Sequence, residues 1–191
     1  MSSEIAIPRR IYHWINFISM VVLISTGWYI HRPYAAGMMN TMRTWHFIFM
    51  YVFSINIMLR VYYAFFGKSG DWKKYLKQDF SMRVVKATMN HYLKYEHFPK
   101  DIKDRILQNS SYLGVVILFG IQIVTGILLY YPESQTLAPV MAAFGGQSLL
   151  RTTHFFFMWI FIAFTVIHFY MAVAEEWPKV KTMFLGIADE K

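Results

Sequence analysis

Four stretches of the chain are apolar and nearly free of charge: Ile11–Ile30, Thr44–Phe66, Ser110–Tyr131 and Thr152–Ala174. Each runs to about 20 residues, the length at which an α-helix crosses a hydrocarbon layer roughly 30 Å thick. A buried helix of a soluble protein seldom reaches that length without a charged face. The pattern therefore predicts four transmembrane helices, whose backbone groups must be satisfied internally because the bilayer core offers them no water. The first stretch is too long for the core of a cleaved signal, and no small-residue cleavage site follows it, so it is expected to stay in the mature protein. The expected fold class is all-α and integral to the membrane: a four-transmembrane-helix bundle, one domain over residues 1–191.

The polar positions add sidedness. Four spans put both termini on one side. The N-terminus carries Arg9 and Arg10, the C-terminal tail Lys179, Lys181 and Lys191, and the loop between spans two and three ten Lys and Arg from Lys68 to Arg105. The opposite side has only Arg32, Arg43 and Arg151. Positive-inside bias then places both termini and the long loop in the cytoplasm. That loop, residues 67–109, is expected to contain interfacial helices such as Asp71–Lys77 and Ser81–Tyr95. Trp72, Tyr75, Tyr92 and Tyr95 suit the headgroup zone.

Composition narrows the function classes. The chain is 56% hydrophobic and 16% charged, against about 25% charged for soluble domains. Disorder, a collagen-like fibre and a soluble nucleic-acid binder are excluded on that ground. The net charge of +8 reads as a topology signal that also favours anionic lipid, at roughly 1 kcal/mol per basic residue near the surface. The basic loop interleaves Asp71, Asp79, Glu96, Asp101 and Asp104, so no nucleic-acid partner is expected. With no Cys, the chain can hold no iron–sulfur cluster, no c-type haem and no disulfide. Any metal must be held by His or carboxylate.

Four of the seven His, namely His13, His46, His154 and His168, lie in the spans or at their ends. Ionisable groups there are costly and mark function by default. His154 and His168 fall on one helix face, within about 40° of each other and roughly 21 Å apart along the axis. His13 enters span one at the level of His168, and His46 enters span two at the level of His154. Two depth-matched imidazole pairs result, His13 with His168 on the cytoplasmic side and His46 with His154 on the outer side. A pair of imidazoles from facing helices, without carboxylate or thiolate, suits six-coordinate haem iron. Zinc or di-iron would require more His or acidic ligands than the spans offer. The pattern predicts two b haems stacked across the membrane.

The same fourteen-residue interval links His13 to Gly27 and His46 to Arg60. Gly27 lets a macrocycle edge approach the backbone, as Gly114, Gly120 and Gly126 can on span three. Arg60, and Arg151 beside His154, are placed to pair haem propionates or to snorkel to the headgroups. Ser25-Thr26-Gly27 and Val124-Thr125-Gly126 echo each other, which reads either as an old duplication or as small residues at a packing surface. His31 is a rival ligand, but it lies about 27 Å along the helix from His13, beyond the level of His154 and next to Arg32-Pro33. His91 and His97 are expected to be solvated in the loop.

Several of these residues carry a family resemblance. Arg10-Ile-Tyr-His13-Trp14, Leu23-Ile-Ser-Thr26-Gly27-Trp-Tyr-Ile30, the Arg43–His46 start of span two, and His154 with His168-Phe-Tyr170-Met-Ala172 resemble the b-type cytochrome subunits of membrane-bound nickel–iron hydrogenases. The formate dehydrogenase gamma subunits belong to the same superfamily. The terminal Lys181-Thr-Met183-Phe-Leu-Gly186 is also similar to the hydrogenase branch.

The resemblance implies an electron-transfer subunit of an oxidoreductase complex. A periplasmic catalytic subunit oxidises hydrogen, or next formate. An iron–sulfur subunit passes the electrons to the outer haem, and they leave from the inner haem to a quinone, menaquinone or ubiquinone, at the cytoplasmic side. It also implies a bacterial or archaeal cytoplasmic membrane, membrane lipid as surroundings and possible oligomerisation of the whole complex. Asn109 resembles the Asn beside the quinone in the formate dehydrogenase subunits, although it also suits a helix N-cap. Tyr112 is a second candidate at the quinone or in the interfacial aromatic belt. Glu175, seven residues after His168, is placed to relay protons to reduced quinone.

The alternative is a stand-alone cytochrome b561-type superoxide:quinone oxidoreductase that needs no partner. A plain membrane anchor leaves the two depth-matched His pairs unexplained, and a transporter would show a broken helix or midplane acid.

Overall fold

The computed structural model describes residues 7–67, 81–94, 106–175 and 177–186. They form helices α1 (Ile7–His31), α2 (Met39–Phe66), α3 (Met82–Lys94), α4 (Ile106–Tyr130), α5 (Ala138–Ala143), α6 (Gly146–Glu175) and α7 (Trp177–Leu185). Four of them, α1, α2, α4 and α6, are long and apolar enough to cross a bilayer. The helices outrun the apolar stretches. α6 starts at Gly146 rather than Thr152, α1 at Ile7 rather than Ile11, and α4 at Ile106 rather than Ser110. Hydropathy marks the part of a helix that meets lipid, whereas the hydrogen-bond ladder continues through polar residues into the interface. Pro8 fits the first turn of α1, where its missing N–H costs no bond.

The chain divides into two compact units, one of Met1–Arg60 with Gln122–Lys191 and the other of Val61–Ile121. In the first, polar side chains are buried alongside apolar ones, and many large apolar side chains face outward. Ser19, Thr26, Asn56 and Thr125 are buried, with Thr125 at 0% exposure, while Ile11, Phe17, Ile18, Val21, Ile55 and Met58 face outward. Polar groups turned inward and apolar groups turned outward are what a lipid solvent selects.

α1 and α6 run antiparallel: Trp28 near the end of α1 meets Phe155 and Trp159 early in α6, and His13 meets His168 at the other end. α1 and α2 are tied by Asn56, whose Nδ2 donates to the Tyr12 carbonyl at 2.9 Å and to Asn16 Oδ1 at 2.7 Å. Interhelical bonds in membranes contribute about 0.6 kcal/mol on average. These bonds therefore fix the register of the two helices more than they add stability.

Two short elements flank the spans. Gly145 and Gly146, both with φ near +80°, reverse the chain between α5 and α6 in a conformation other residues avoid. Leu128, Met141 and Leu150 pack beneath that turn. At the other end α7 is clasped by α1. Arg10 donates to the Met183 and Phe184 carbonyls, Trp14 Nε1 donates to Met183, and the Trp14 ring meets Phe184. The last carbonyls of a helix have no intrahelical donor, and a cation there also complements the helix dipole.

In the second unit α3 is an amphipathic helix that buries Val84 and Thr88 and exposes Met82, Met89 and Leu93. It covers most of the interfacial helix expected at Ser81–Tyr95. The helix expected at Asp71–Lys77 lies outside the described residues, as does His97. His91 sits on α3 and is half-buried rather than fully solvated.

Candidate functional site

The helix periodicity that aligned His154 with His168 places one imidazole near each end of α6. At the end where α1 begins, the His13 and His168 ring centroids are 6.4 Å apart with planes at 45°. At the far end, His46 of α2 and His154 are also 6.4 Å apart, with planes at 68°. Two imidazoles bound on opposite sides of a metal, at the ~2 Å bond length of histidine ligation, have centroids roughly 6 Å apart. Both pairs meet that spacing. Among the described residues no group of three or more His, Cys, Asp or Glu gathers to hold a metal unaided. Two imidazoles at each level, with no carboxylate beside them among the described residues, would suit a b-type haem.

The two ends differ in how they hold their rings. At the far end each imidazole is fixed by a threonine: Thr26 Oγ1 lies 2.9 Å from His46 Nδ1, and Thr125 Oγ1 lies 2.8 Å from His154 Nδ1. The next residue in each case is glycine. A Cβ on Gly27 would lie 3.2 Å from His46 Cε1, and one on Gly126 would lie 3.5 Å from His154 Cε1 and 3.7 Å from Met50 Sδ. Both glycines thus lie against an imidazole. A Cβ on Gly114 or Gly120 would meet nothing within 4 Å. At the α1-start end, Phe164 stacks under exposed His168 with planes 13° apart, and His13 packs edge-on to Trp14. His13 Nδ1 is buried with no hydrogen-bond partner among the described residues. A buried ring nitrogen without a protein partner is an unmet capacity for a ligand or acceptor.

The remaining candidates fall as follows. Arg60 is half-buried on α2, and Arg151 is exposed in the second turn of α6. His31 is the last residue of α1, and its ring stacks on Phe155 at 3.7 Å instead of meeting another imidazole. Asn109 is in the first turn of α4 rather than at its cap, Tyr112 follows on the same helix, and Glu175 ends α6. The side chains of these three lie outside the described residues. The periodicity argument missed Thr26, Thr125, Asn16 and Asn56 as site-shaping residues. The signal for the two threonines was present in the echo of Thr26-Gly27 and Thr125-Gly126.

Comparison with known proteins identifies the family. The model of the family described as prokaryotic cytochrome b561 matches residues 5–186. A probable Ni/Fe-hydrogenase 1 B-type cytochrome subunit of Escherichia coli strain K12 is 29% identical over 195 residues, covering 88% of this chain and 81% of that protein. Probable Ni/Fe-hydrogenase B-type cytochrome subunits of Azotobacter vinelandii and Rhodobacter capsulatus are 28% and 26% identical, each over 88% of this chain and over 79% and 72% of their own lengths. Four apolar helices that bring imidazoles together in pairs, and a match over nearly the whole length, converge on one membrane cytochrome b: the chain belongs to the prokaryotic cytochrome b561 family.

Proposed function

We propose that the protein is the membrane-anchoring, dihaem electron-transfer subunit of a hydrogenase complex. The observation that carries the reading is the recurrence of one spacing, 6.4 Å between ring centroids, at two levels of the same helix. His13 and His168 hold one haem and His46 and His154 the other. When bound, the haems supply one-electron transfer between a donor at the far end and a quinone at the α1-start end.

The chain's own residues do the rest. α6 carries one ligand at each level and so fixes the separation of the two sites. The inward-facing Thr and Gly residues hold and seat the far-end rings. Outward-facing aliphatic side chains keep the sites in lipid, away from bulk water. Arg60 and Arg151 provide positive charge for propionates at the two levels. Asn109 and Tyr112 at the start of α4 are the quinone candidates, and Glu175 at the end of α6 is the proton candidate.

The Lys and Arg distribution supports an orientation with both termini and the α2–α4 connection in the cytoplasm. The far-end pair then faces the periplasm, where an iron–sulfur subunit would dock. A chain without Cys cannot supply that relay itself. The relatives named as hydrogenase subunits favour hydrogen over formate as the ultimate donor.

Affinity purification of a tagged chain from native membranes in mild detergent tests the partner. An iron–sulfur subunit and a hydrogenase large subunit are expected to accompany it. A chain that purifies alone with full haem, and whose haem is reduced by superoxide, would instead favour the stand-alone oxidoreductase.

A further inference from the structure

The two His pairs are built differently, and the difference points to specific residues. Thr26 Oγ1 lies 2.6 Å from the Val22 carbonyl oxygen, one turn back on its own helix. A carbonyl can only accept, so the hydroxyl proton is directed there. Toward His46 Nδ1 the same oxygen must then accept, which puts the imidazole proton on Nδ1 and the free lone pair on Nε2. Thr125 repeats the arrangement: its hydroxyl donates to the Gln122 carbonyl at 3.2 Å and faces His154 Nδ1 at 2.8 Å. The device occurs twice with the same parts, a Thr-Gly pair serving the histidine of the next membrane-spanning helix in the chain. The hydroxyl fixes the tautomer, and the glycine gives the ring room. His13, by contrast, has no partner for its buried Nδ1 among the described residues.

We propose that Thr26 and Thr125 are positioning residues that hold both far-end imidazoles as Nδ1–H tautomers with Nε2 presented to iron, and thereby lower the potential of the far-end haem alone. This rests on the ligation reading above. A ring N–H that donates to an acceptor makes its imidazole a more basic ligand, which stabilises the ferric state. Removing the acceptor withdraws that stabilisation.

The test is a potentiometric titration of both haems in the purified full-length protein, with the far-end component identified spectrally by its absence in His46→Ala. Thr26→Val and Thr125→Val are each expected to raise the far-end midpoint and to leave the other haem where it was. Retention of the far-end haem in detergent should weaken by about 10- to 100-fold, the usual cost of losing an outer-shell partner. Electron paramagnetic resonance should report the same haem, through a changed low-spin g anisotropy as the ligand planes reorient. Thr26→Ser and Thr125→Ser keep the hydroxyl and should behave as the parent.

Thr165→Val is the control, since Thr165 bonds the Phe161 carbonyl in the same way but contacts Met20 rather than a histidine. Should both valine variants bind two haems with unmoved potentials, the proposal is overturned. The same follows if the serine variants shift as far as the valines, or if Thr165→Val moves the far-end haem equally. Parent protein without haem would instead overturn the ligation reading itself, so the two failures are distinguishable.

Discussion

His46→Ala is expected to leave the protein folded in the membrane with one haem in place of two, the survivor being the one between His13 and His168. On the proposed assignment His46 and His154 are the two ligands of the far-end haem, so losing one would remove half of the protein's hold on its iron. His154 alone, held by Thr125, would leave the haem iron a single bond from the protein. Occupancy at that level should fall from near one to near zero. The fold should survive, because α1 and α2 are joined through Asn56 and Asn16, and α1 and α6 through Trp28 and Trp159, none of which involves His46. His13→Ala is the complement and should spare the far-end haem. Reduced-minus-oxidised spectra of the two variants should each lack a different α-band component. Loss of the same component in both would contradict the assignment of pairs.

Gly27→Leu should have nearly as large an effect without touching a ligand. A single Cβ at this position already comes within 3.2 Å of His46 Cε1, so Gly27→Ala asks the ring to yield by a few tenths of an ångström. Leucine adds three more carbons where the imidazole now stands. Overpacking a tight site costs about 1–3 kcal/mol, and the cheapest relief is to swing His46 away from His154. The expected result is loss of most far-end haem with the other haem retained. Gly27→Ala should give an intermediate retention. At Gly126 the same Cβ would be in ordinary contact with His154, at 3.5 Å, so Gly126→Ala should be nearly silent while Gly126→Leu is not. Haem retention during detergent exchange checks all four variants. Equal retention in Gly27→Leu and the parent would show that the imidazole is not seated where the structure puts it.

How much of this could be read from residues alone depends on which interactions are periodic. The spans were legible because lipid imposes one requirement along a whole helix, an unbroken apolar run. The meeting of His13 with His168 and of His46 with His154 was legible because helix rise and twist are fixed, and a fourteen-residue interval on α6 sets both depth and face. Helix ends were less legible: residues such as Arg151 and Asn109 continue the ladder in the interface, where hydropathy no longer reports it. α5 and the clasp of α7 by Arg10 and Trp14 depend on turns and side-chain reach that no period encodes.

The threonine bonds are the instructive omission. Thr26 and Thr125 stand 20 and 29 residues from the histidines they hold, and nothing in either helix's own pattern says which neighbour its hydroxyl will meet. The Thr-Gly repeat was visible, but its meaning came only from the crossing of α1 with α2 and of α4 with α6. Asn56 and Asn16 were overlooked for a related reason. A single polar residue in a span is ambiguous until its interhelical partner is known.

Counting haem b per polypeptide tests the central claim most directly, by pyridine haemochrome against quantitative amino-acid analysis on gently solubilised protein. Two haems per chain is the predicted result, with one each assigned by the His46→Ala and His13→Ala variants. Folded protein containing no haem, with its helices intact by circular dichroism, would contradict it.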